Sequence, residues 1–178
     1  SSDGTSWTER TSGTSKYLSG VTYGNGLFVT VGWKTILSSS EGTSWTTSGT
    51  SKYLEGITYG NGLFVTVGQS GIIFTFDGKS WTERTSGTSE NLEGITYGNG
   101  TFVTVGWKGT ILTSSDGTSW TERTSGTSKY LSGVTYGNGL FVTVGWKTIL
   151  SSSEGTSWTT SGTSKYLEGI TYGNGLFV

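Results

Sequence analysis

The sequence contains no cysteine and no histidine in its 178 residues. Without cysteine there is no disulfide framework and no thiolate nucleophile, and without histidine the commonest general base and metal ligand is missing. These two absences close most routes to catalysis. We therefore expect a protein that is not an enzyme and that uses neither a metal ion nor a cofactor.

Excess charge and long apolar runs are also absent. The formal net charge is -1 at pH 7, which gives no electrostatic reason to expect binding to nucleic acid or to an anionic membrane. No apolar run is long enough to span a bilayer, and no signal peptide is recognisable. The chain does not begin with Met, so we expect an excerpt or a processed segment, from an extracellular or bacterial cell-surface protein if the sequence is natural.

What the chain does contain is repetition. Five tryptophans, spaced 38, 36, 39 and 38 residues apart, mark a recurring module: Trp7, Trp45, Trp81, Trp120 and Trp158. A period of this length indicates a repeat architecture. Residues 114–178 are identical to residues 1–65, so a larger unit of 113 residues has been copied outright. Either the duplication is very recent or the sequence was engineered.

Each module predicts four short antiparallel strands, A to D. In the first module, Asn25-Gly26 lies between two alternating apolar runs, which is the strongest short-range signal for a β-hairpin. Strands A (18–23) and B (27–32) flank this turn, Trp33-Lys34 forms the next one, and strand C (35–38) leads to strand D at Trp45. Strand B is apolar on both sides, so both faces of the sheet should be covered.

A four-stranded module of this kind must stack on copies of itself, and radial stacking predicts an all-β, single-domain β-propeller of about five blades. We number the repeats 1 to 5: 17–48, 53–85, 91–124, 129–161 and 166–178. Residues 1–16 would supply the outer strand, at 5–11, of a closing blade whose inner strands are repeat 5. The alternative is an incomplete ring whose exposed edges recruit another chain, so that the protein is either a monomer or self-associates.

The segment before each marker tryptophan follows the pattern Ser/Thr-x-Asp/Glu-Gly-x-x-Trp, and it resembles the Asp-box of bacterial neuraminidase repeat propellers. The chain is also similar to bacterial proteins with tandem Y-G-N-G-x-F-V-x-V-G repeats of unknown role. The turn is one residue shorter than the usual Asp-box. Its acid and tryptophan pairs are Asp3 and Trp7, Glu41 and Trp45, Asp77 and Trp81, Asp116 and Trp120, and Glu154 and Trp158.

The resemblance implies a structural turn between strands C and D, away from any active site. The residues agree, because such an acid can accept hydrogen bonds from backbone amides while the tryptophan packs between blades. A single acid per turn is too few for Ca²⁺. The resemblance also implies that a sialidase would need three clustered arginines. Arg10, Arg84 and Arg123 instead occupy the same strand-D position of separate repeats and should not converge.

Exposed aromatics and lysines predict a candidate binding face. The B–C turns and the connectors from strand D to the next strand A should lie at the same end of the propeller, which we call the loop face. Glu90-Asn91 is the odd connector, and Gln69-Ser70 the odd turn. The candidate residues are Trp33, Lys34, Trp107, Lys108, Trp146 and Lys147 in the turns, and Lys16, Tyr17, Lys129 and Tyr130 in the connectors, with Lys52-Tyr53 and Lys165-Tyr166 equivalent.

These side chains could stack on a glycan or anchor a protein partner. The alternative is that each tryptophan folds back as a lid on a neighbouring blade. Glu55, Glu93 and Glu168 share a position near the start of strand A, which we interpret as solvated residues lining the central channel. The leading functional hypothesis is a non-catalytic scaffold, followed by a lectin-like or adhesin-like module, with a sialidase-related hydrolase as a remote third.

Overall fold

The computed structural model describes residues 1 and 3–178, and this part of the chain is all-β with two short 3₁₀ turns, Gln69–Gly71 and Trp107–Gly109. All the strand pairs in it are antiparallel, as the sequence predicts. Its fifteen strands are β1 (Leu18–Gly24), β2 (Leu27–Ser39), β3 (Thr46–Gly60), β4 (Leu63–Gly68), β5 (Ile73–Phe76), β6 (Trp81–Arg84), β7 (Leu92–Gly98), β8 (Thr101–Gly106), β9 (Ile111–Ser114), β10 (Thr121–Arg123), β11 (Leu131–Gly137), β12 (Leu140–Ser152), β13 (Thr159–Tyr166), β14 (Tyr172–Gly173) and β15 (Leu176–Phe177).

The Asn-Gly hairpin predicted for each repeat is confirmed. In repeat 1, Asn25 and Gly26 have φ of 47° and 75°, the two positive values that a type I′ turn requires. The flanking residues pair in register, Gly24 with Leu27 and Tyr23 with Phe28. The same turn recurs in all five repeats, so a purely local signal sets the strand register of every repeat.

The connection between strands B and C has two forms, and one residue separates them. Repeats 2 and 3 carry a turn glycine, Gly71 and Gly109, with φ of +70° and +74°. Repeats 1 and 4 lack this residue, and there β2 and β12 run without a break through the predicted turn. The prediction of separate strands B and C in these repeats is therefore wrong, because the shortened connection leaves no room for a 3₁₀ turn. Lys34, with φ of 54°, marks the bend.

A second deletion accompanies the first. Repeats 1 and 4 also lack the Glu-Arg pair of the outer strand. In repeat 2 the connector folds back onto the turn, so that the Thr88 carbonyl and the Ser86 hydroxyl fill the space beside Gly71. In repeats 1 and 4 the connector instead stays extended within β3 and β13. The turn glycine and the folded connector thus occur together or not at all.

Successive repeats contact one another through their innermost strands, β1, β3, β7, β11 and β14. On these strands a glycine of one repeat lies against the backbone of the next, as Gly56 does against Glu93 and Ile95. The described strands form four hydrogen-bonded sheets, with the strand orders β1-β2-β3-β4-β5-β6, β10-β9-β8-β7, β11-β12-β13 and β14-β15. β3 belongs to two repeats, since it continues from the outer strand of repeat 1 into the inner strand of repeat 2.

The hydrophobic core lies between repeats rather than within them. Between repeats 1 and 2, Val29 and Val31 pack against Leu54 and Phe64. Equivalent clusters join repeats 2 and 3 and repeats 3 and 4. Burying one such Leu or Phe side chain stabilises the fold by about 1.5–3 kcal/mol, so each repeat depends on its neighbours for stability.

The closing blade predicted from the sequence does not form. Residues 5–11 adopt no strand, and Trp7 is 79% exposed. β14 pairs with β15 alone, so no sheet closes within the described residues. As a result the inner face of repeat 1 is uncovered: Leu18 is 42% exposed, whereas Leu131, its counterpart in an identical stretch of sequence, is fully buried at 0%.

Candidate functional site

The turn tryptophans lie at the surface of the loop face. Trp33, Trp107 and Trp146 are 45%, 48% and 50% exposed, while the marker tryptophans of repeats 2 to 4 pack against the cores, such as Trp120 against the cluster that contains Phe102. The two sets of tryptophan therefore occupy different environments. Exposed aromatic rings of this kind can contact a ligand without disturbing the core.

Turns and connectors meet on this face through matching hydrogen bonds. In repeat 1 the Lys16 Nζ donates to the Lys34 carbonyl at 2.6 Å, and the Trp33 amide donates to the Tyr17 carbonyl at 2.9 Å. Repeat 4 has the same pair of contacts, with Lys129 bonded to the Lys147 carbonyl at 2.8 Å. In each of these repeats, hydrogen bonds to backbone carbonyls thus hold the candidate residues of the connector beside those of the turn.

The turn lysines of repeats 1 and 4 cover the next tyrosine along the face. The Lys34 Nζ lies 5.0 Å from the centre of the Tyr53 ring, and the Lys147 Nζ lies 5.7 Å from that of Tyr166. Both distances are within the range of cation–π attraction. At these two positions a lysine of the chain itself covers the tyrosine ring.

Repeat 3 is arranged differently. Its connector carries Glu90, and the Lys108 Nζ forms an ion pair with the Glu90 carboxylate at 2.8 Å. Among the described residues Lys108 makes no cation–π contact, so no lysine covers the Tyr130 ring of repeat 4. Beside that ring is a cavity of about 440 Å³, which we call the aromatic pocket, lined by Trp107, Lys108, Ser128, Tyr130 and Trp146.

A carboxylate is bonded to one of the rings that line this pocket. The Trp107 Nε1 donates to the Glu93 carboxylate at 2.6 Å, just as the Gln69 Nε2 in repeat 2 donates to Glu55 at 3.1 Å. Burial, and to a smaller extent the charge of Glu55, raises the pKa of Glu93. Burial and the charges of Glu93, Glu168 and Glu55 raise the pKa of Tyr130 to about 12. Glu93 and Tyr130 are thus both partly buried, and Glu93 is the carboxylate that contributes most to the raised pKa of Tyr130.

Sequence reasoning did not assign Glu90 and Glu93 to this site. Glu90 is recognisable in the sequence only as an exception among connectors that otherwise carry lysine, and Glu93 as one member of a set of equivalent acids. Their effects, to hold Lys108 aside and to support Trp107, depend on distances that one sequence does not contain. Trp33 and Trp146 do not share a pocket, since Trp33 contacts Tyr17 and Tyr53.

The acidic turns hold their own backbone. The Asp116 carboxylate accepts hydrogen bonds from the Thr118 and Ser119 amides at 2.7 and 2.8 Å, which lowers its pKa. The Trp120 Nε1 donates to the Gly117 carbonyl at 3.1 Å. Asp3 and Asp77 bond in the same way. In Glu41 the longer side chain reaches only the Thr43 hydroxyl, at 3.2 Å, while Ser39 accepts the Gly42 amide.

Two of the arginines form hydrogen bonds within their own sheets. The Arg84 Nε donates to the Thr75 hydroxyl at 2.9 Å, and the Arg123 Nε donates to the Thr113 hydroxyl at 2.8 Å. Arg10 lies beside the uncovered face of repeat 1. No group of three or more Asp, Glu, His or Cys side chains suited to a metal ion occurs among the described residues. The same part of the chain has no helix long and apolar enough to cross a membrane.

No protein-family model matches the sequence, and no curated protein matches it. Among solved structures, YCF48 bound to a D1 peptide is similar with a TM-score of 0.69 and 16% identity, over 90% of this chain and 58% of that one. The WD40 β-propeller domain of Doa1 gives 0.67 and 12%, over 90% and 60%. A chain of a nidogen–laminin complex gives 0.69 and 15%, over 89% and 70%.

This chain thus spans less than two thirds of the length of the YCF48 and Doa1 structures. At such low identities the similarity concerns the fold alone. Together with the strand pairing and the cores between repeats, it leads to the conclusion that the chain has an all-β, propeller-like fold.

Proposed function

We propose that this chain is a non-catalytic β-propeller scaffold built from Asp-box blades, and that it binds a protein or peptide through its loop face. The observation that carries the proposal is the aromatic pocket. Three aromatic side chains from two adjacent repeats surround an open cavity of about 440 Å³. Large, rigid aromatic rings at a surface are the residues that most often dominate binding energy in protein interfaces.

The chemistry of the chain supports a binding role over a catalytic one. The sequence offers no histidine or cysteine, and Arg84 and Arg123 are bonded to different sheets, so a converging arginine cluster of the sialidase type is not assembled from them. The YCF48 structure, which shares this fold, contains a bound peptide, and the nidogen–laminin structure contains a protein partner. A peptide partner is the proposal that fits these observations.

A lectin-like module is the second candidate, because indole rings also stack on sugars. An array that carries both random peptides and glycans separates the two. We expect the wild-type chain to bind peptides, and the triple variant Trp33→Ala, Trp107→Ala, Trp146→Ala to lose that binding. Trp7→Ala is the matched control, since it removes an indole that is 79% exposed away from this face. Glycan binding lost in the triple variant would favour the lectin, and binding by neither protein would favour a scaffold alone.

A further inference from the structure

Two junctions on the loop face already have a cation bound to an aromatic ring. In repeats 1 and 4 the turn lysine extends over the tyrosine of the following repeat, at 5.0 Å for Lys34 and Tyr53 and at 5.7 Å for Lys147 and Tyr166. Each junction therefore carries an ammonium group on an aromatic surface. The chain itself shows which chemical group these surfaces accept.

The junction between repeats 3 and 4 has the tyrosine ring but no lysine over it. Its tyrosine is Tyr130 and its turn lysine is Lys108, but the ion pair with Glu90 holds the Lys108 ammonium to the side. In repeats 1 and 4 a lysine, Lys16 or Lys129, occupies the position of Glu90, and it bonds to the turn carbonyl and leaves the turn lysine free. The ion pair with Glu90 therefore keeps the Lys108 ammonium away from Tyr130, in a junction that also differs from those of repeats 1 and 4 by the turn glycine Gly109 and its folded connector.

The rings of the pocket are also spaced to admit a group. In repeat 1 the Tyr17 ring closes onto Trp33 with 4.9 Å between centres, whereas no equivalent contact joins Tyr130 to Trp146. Trp107 meets Tyr130 edge-on at 6.4 Å and 83°. The result is an aromatic cradle open to solvent, with about 440 Å³ of space.

Charge selects the kind of ligand. The Glu93 carboxylate is fixed beside the pocket by the Trp107 indole, and it interacts with Tyr130 together with the more distant Glu55 and Glu168. Lys108, the only cation lining the pocket, is neutralised by Glu90. A cation on these aromatic rings is attracted both by the rings and by the nearby Glu93 carboxylate, whereas a neutral or anionic group has neither electrostatic attraction.

We propose that the aromatic pocket is a binding site for an alkylammonium group, in the position that Lys108 would occupy if Glu90 did not hold it. The inference rests on the proposed binding role of the loop face and names the chemistry of the ligand. The group could be the lysine side chain of a partner peptide or a free amine, and the two sources share this chemistry.

The test uses n-butylammonium, which has the length of a lysine side chain, and n-butanol as its neutral counterpart. Binding is followed by NMR shifts of the Trp107 and Trp146 indole signals in the full chain. We expect the ammonium to bind at least fivefold more tightly than the alcohol. Equal binding of the two would overturn the cation site while leaving an apolar binding pocket, so this failure is distinct from a failure of the proposed function.

Variants identify the mechanism. Glu90→Lys should weaken n-butylammonium binding at least fivefold, because it frees Lys108 to cover Tyr130, and the residue it introduces already stands at this position in repeats 1 and 4. Adding Lys108→Ala to Glu90→Lys should restore binding. Glu154→Lys makes the same change of charge in an acidic turn at the opposite end and should have no effect. Failure of the double variant to recover would overturn the idea that the Lys108 ammonium and the ligand compete for one site.

A capped peptide with one lysine, compared with its Nε-acetylated form, separates the two sources of the group. Tighter binding of the lysine peptide than of n-butylammonium assigns the site to a protein partner, and equal binding assigns it to a free amine. Binding of the acetylated peptide as tightly as the lysine form would contradict the proposal.

Discussion

The Tyr59 ring fills the space that a Cβ atom on Gly24 would occupy. The same contact recurs at each following junction, with Tyr97 on Gly60, Tyr136 on Gly98 and Tyr172 on Gly137. Each Tyr-Gly pair of the Y-G-N-G motif therefore contacts both neighbouring repeats. Its tyrosine ring packs against the glycine of the preceding repeat, and its glycine packs against the tyrosine ring of the following repeat. The motif is both a hairpin and a joint between repeats.

Substitution of a joint glycine should destabilise the protein. We expect Gly60→Ala to cost about 2 kcal/mol, because the methyl group would overlap the Tyr97 ring and the core must shift to admit it. Gly173→Ala is the matched control, since it lies in the same motif with no atom within 4 Å of the added Cβ. Urea denaturation of both variants measures the difference, and equal effects would contradict the joint.

The two sets of tryptophan should respond differently to substitution. Trp120→Ala should cost about 3 kcal/mol, because Trp120 packs against a buried cluster and its loss leaves a cavity. Trp7→Ala, in an identical sequence but 79% exposed, should be close to neutral.

Trp107→Gln should also stay within about 1 kcal/mol of wild type. A glutamine can still donate to Glu93, as Gln69 does to Glu55. Thermal melts of the three variants provide the comparison. If Trp107→Gln proves as damaging as Trp120→Ala, the turn tryptophan is a structural lid.

Two buried hydroxyl groups have no hydrogen-bond partner among the described residues, Thr35 Oγ1 and Thr148 Oγ1. Both lie where the turn glycine is missing. Thr35→Val should therefore stabilise the protein by about 1 kcal/mol, since it replaces an unsatisfied polar group with a methyl group of the same shape.

Thr30→Val provides the control for this change. It removes a hydroxyl that donates to the Gly20 carbonyl at 2.8 Å, so it should destabilise the protein by about 1 kcal/mol. Chemical denaturation at one pH measures both variants, and a loss of stability in Thr35→Val would show that its hydroxyl is satisfied.

Stability should depend on pH through Glu93. Its pKa is raised in the folded protein, so folding becomes less favourable as the pH rises from the ordinary value of 4.5 through the folded value. Glu93→Gln should melt higher than wild type at pH 7, by about 1–2 °C because solvent screens a half-exposed carboxylate. Below pH 4 the difference should disappear, and its persistence there would assign the effect to packing.

Repeat 1 should associate with a second copy of the chain. Val21 and Tyr23 are 64% and 57% exposed, although their counterparts Val134 and Tyr136 pack into a core. Gly173 is the joint glycine with no ring against it among the described residues, and we expect the Tyr23 ring of another copy to pack there. Sedimentation should show concentration-dependent association that Val21→Glu abolishes, and an unchanged distribution in that variant would place the contact elsewhere.

The sequence predicted the parts of the fold that depend on local chemistry. Asn25-Gly26 determines its hairpin because few residue pairs adopt two positive φ values, and the apolar run around Val29 predicts a strand covered on both faces. Closure through residues 5–11 was wrong, because pairing of distant strands depends on the curvature accumulated over all the repeats. The continuous β2 was also missed, since one deleted glycine changes a connection without changing the hydrophobic pattern.

The candidate site was predicted less completely. The exposed turn tryptophans follow from the occurrence of Gln69 at an equivalent position, which indicates that a large apolar side chain is not required there. The open pocket at Tyr130 could not be predicted, because it arises from the competition of Glu90 and Tyr130 for the Lys108 ammonium. The three-dimensional arrangement of the three side chains decides which of the two partners holds it.

The joint of tyrosine and glycine gives the chain the properties of a linear assembly of interchangeable parts. Each added repeat brings the tyrosine that its predecessor requires and the glycine that its successor requires, so stability should grow by a similar increment with each one. A copied block of 113 residues therefore meets ready-made neighbours at both ends, and no compensating substitution is needed. Exact duplication is then a route by which this architecture can lengthen in a single step.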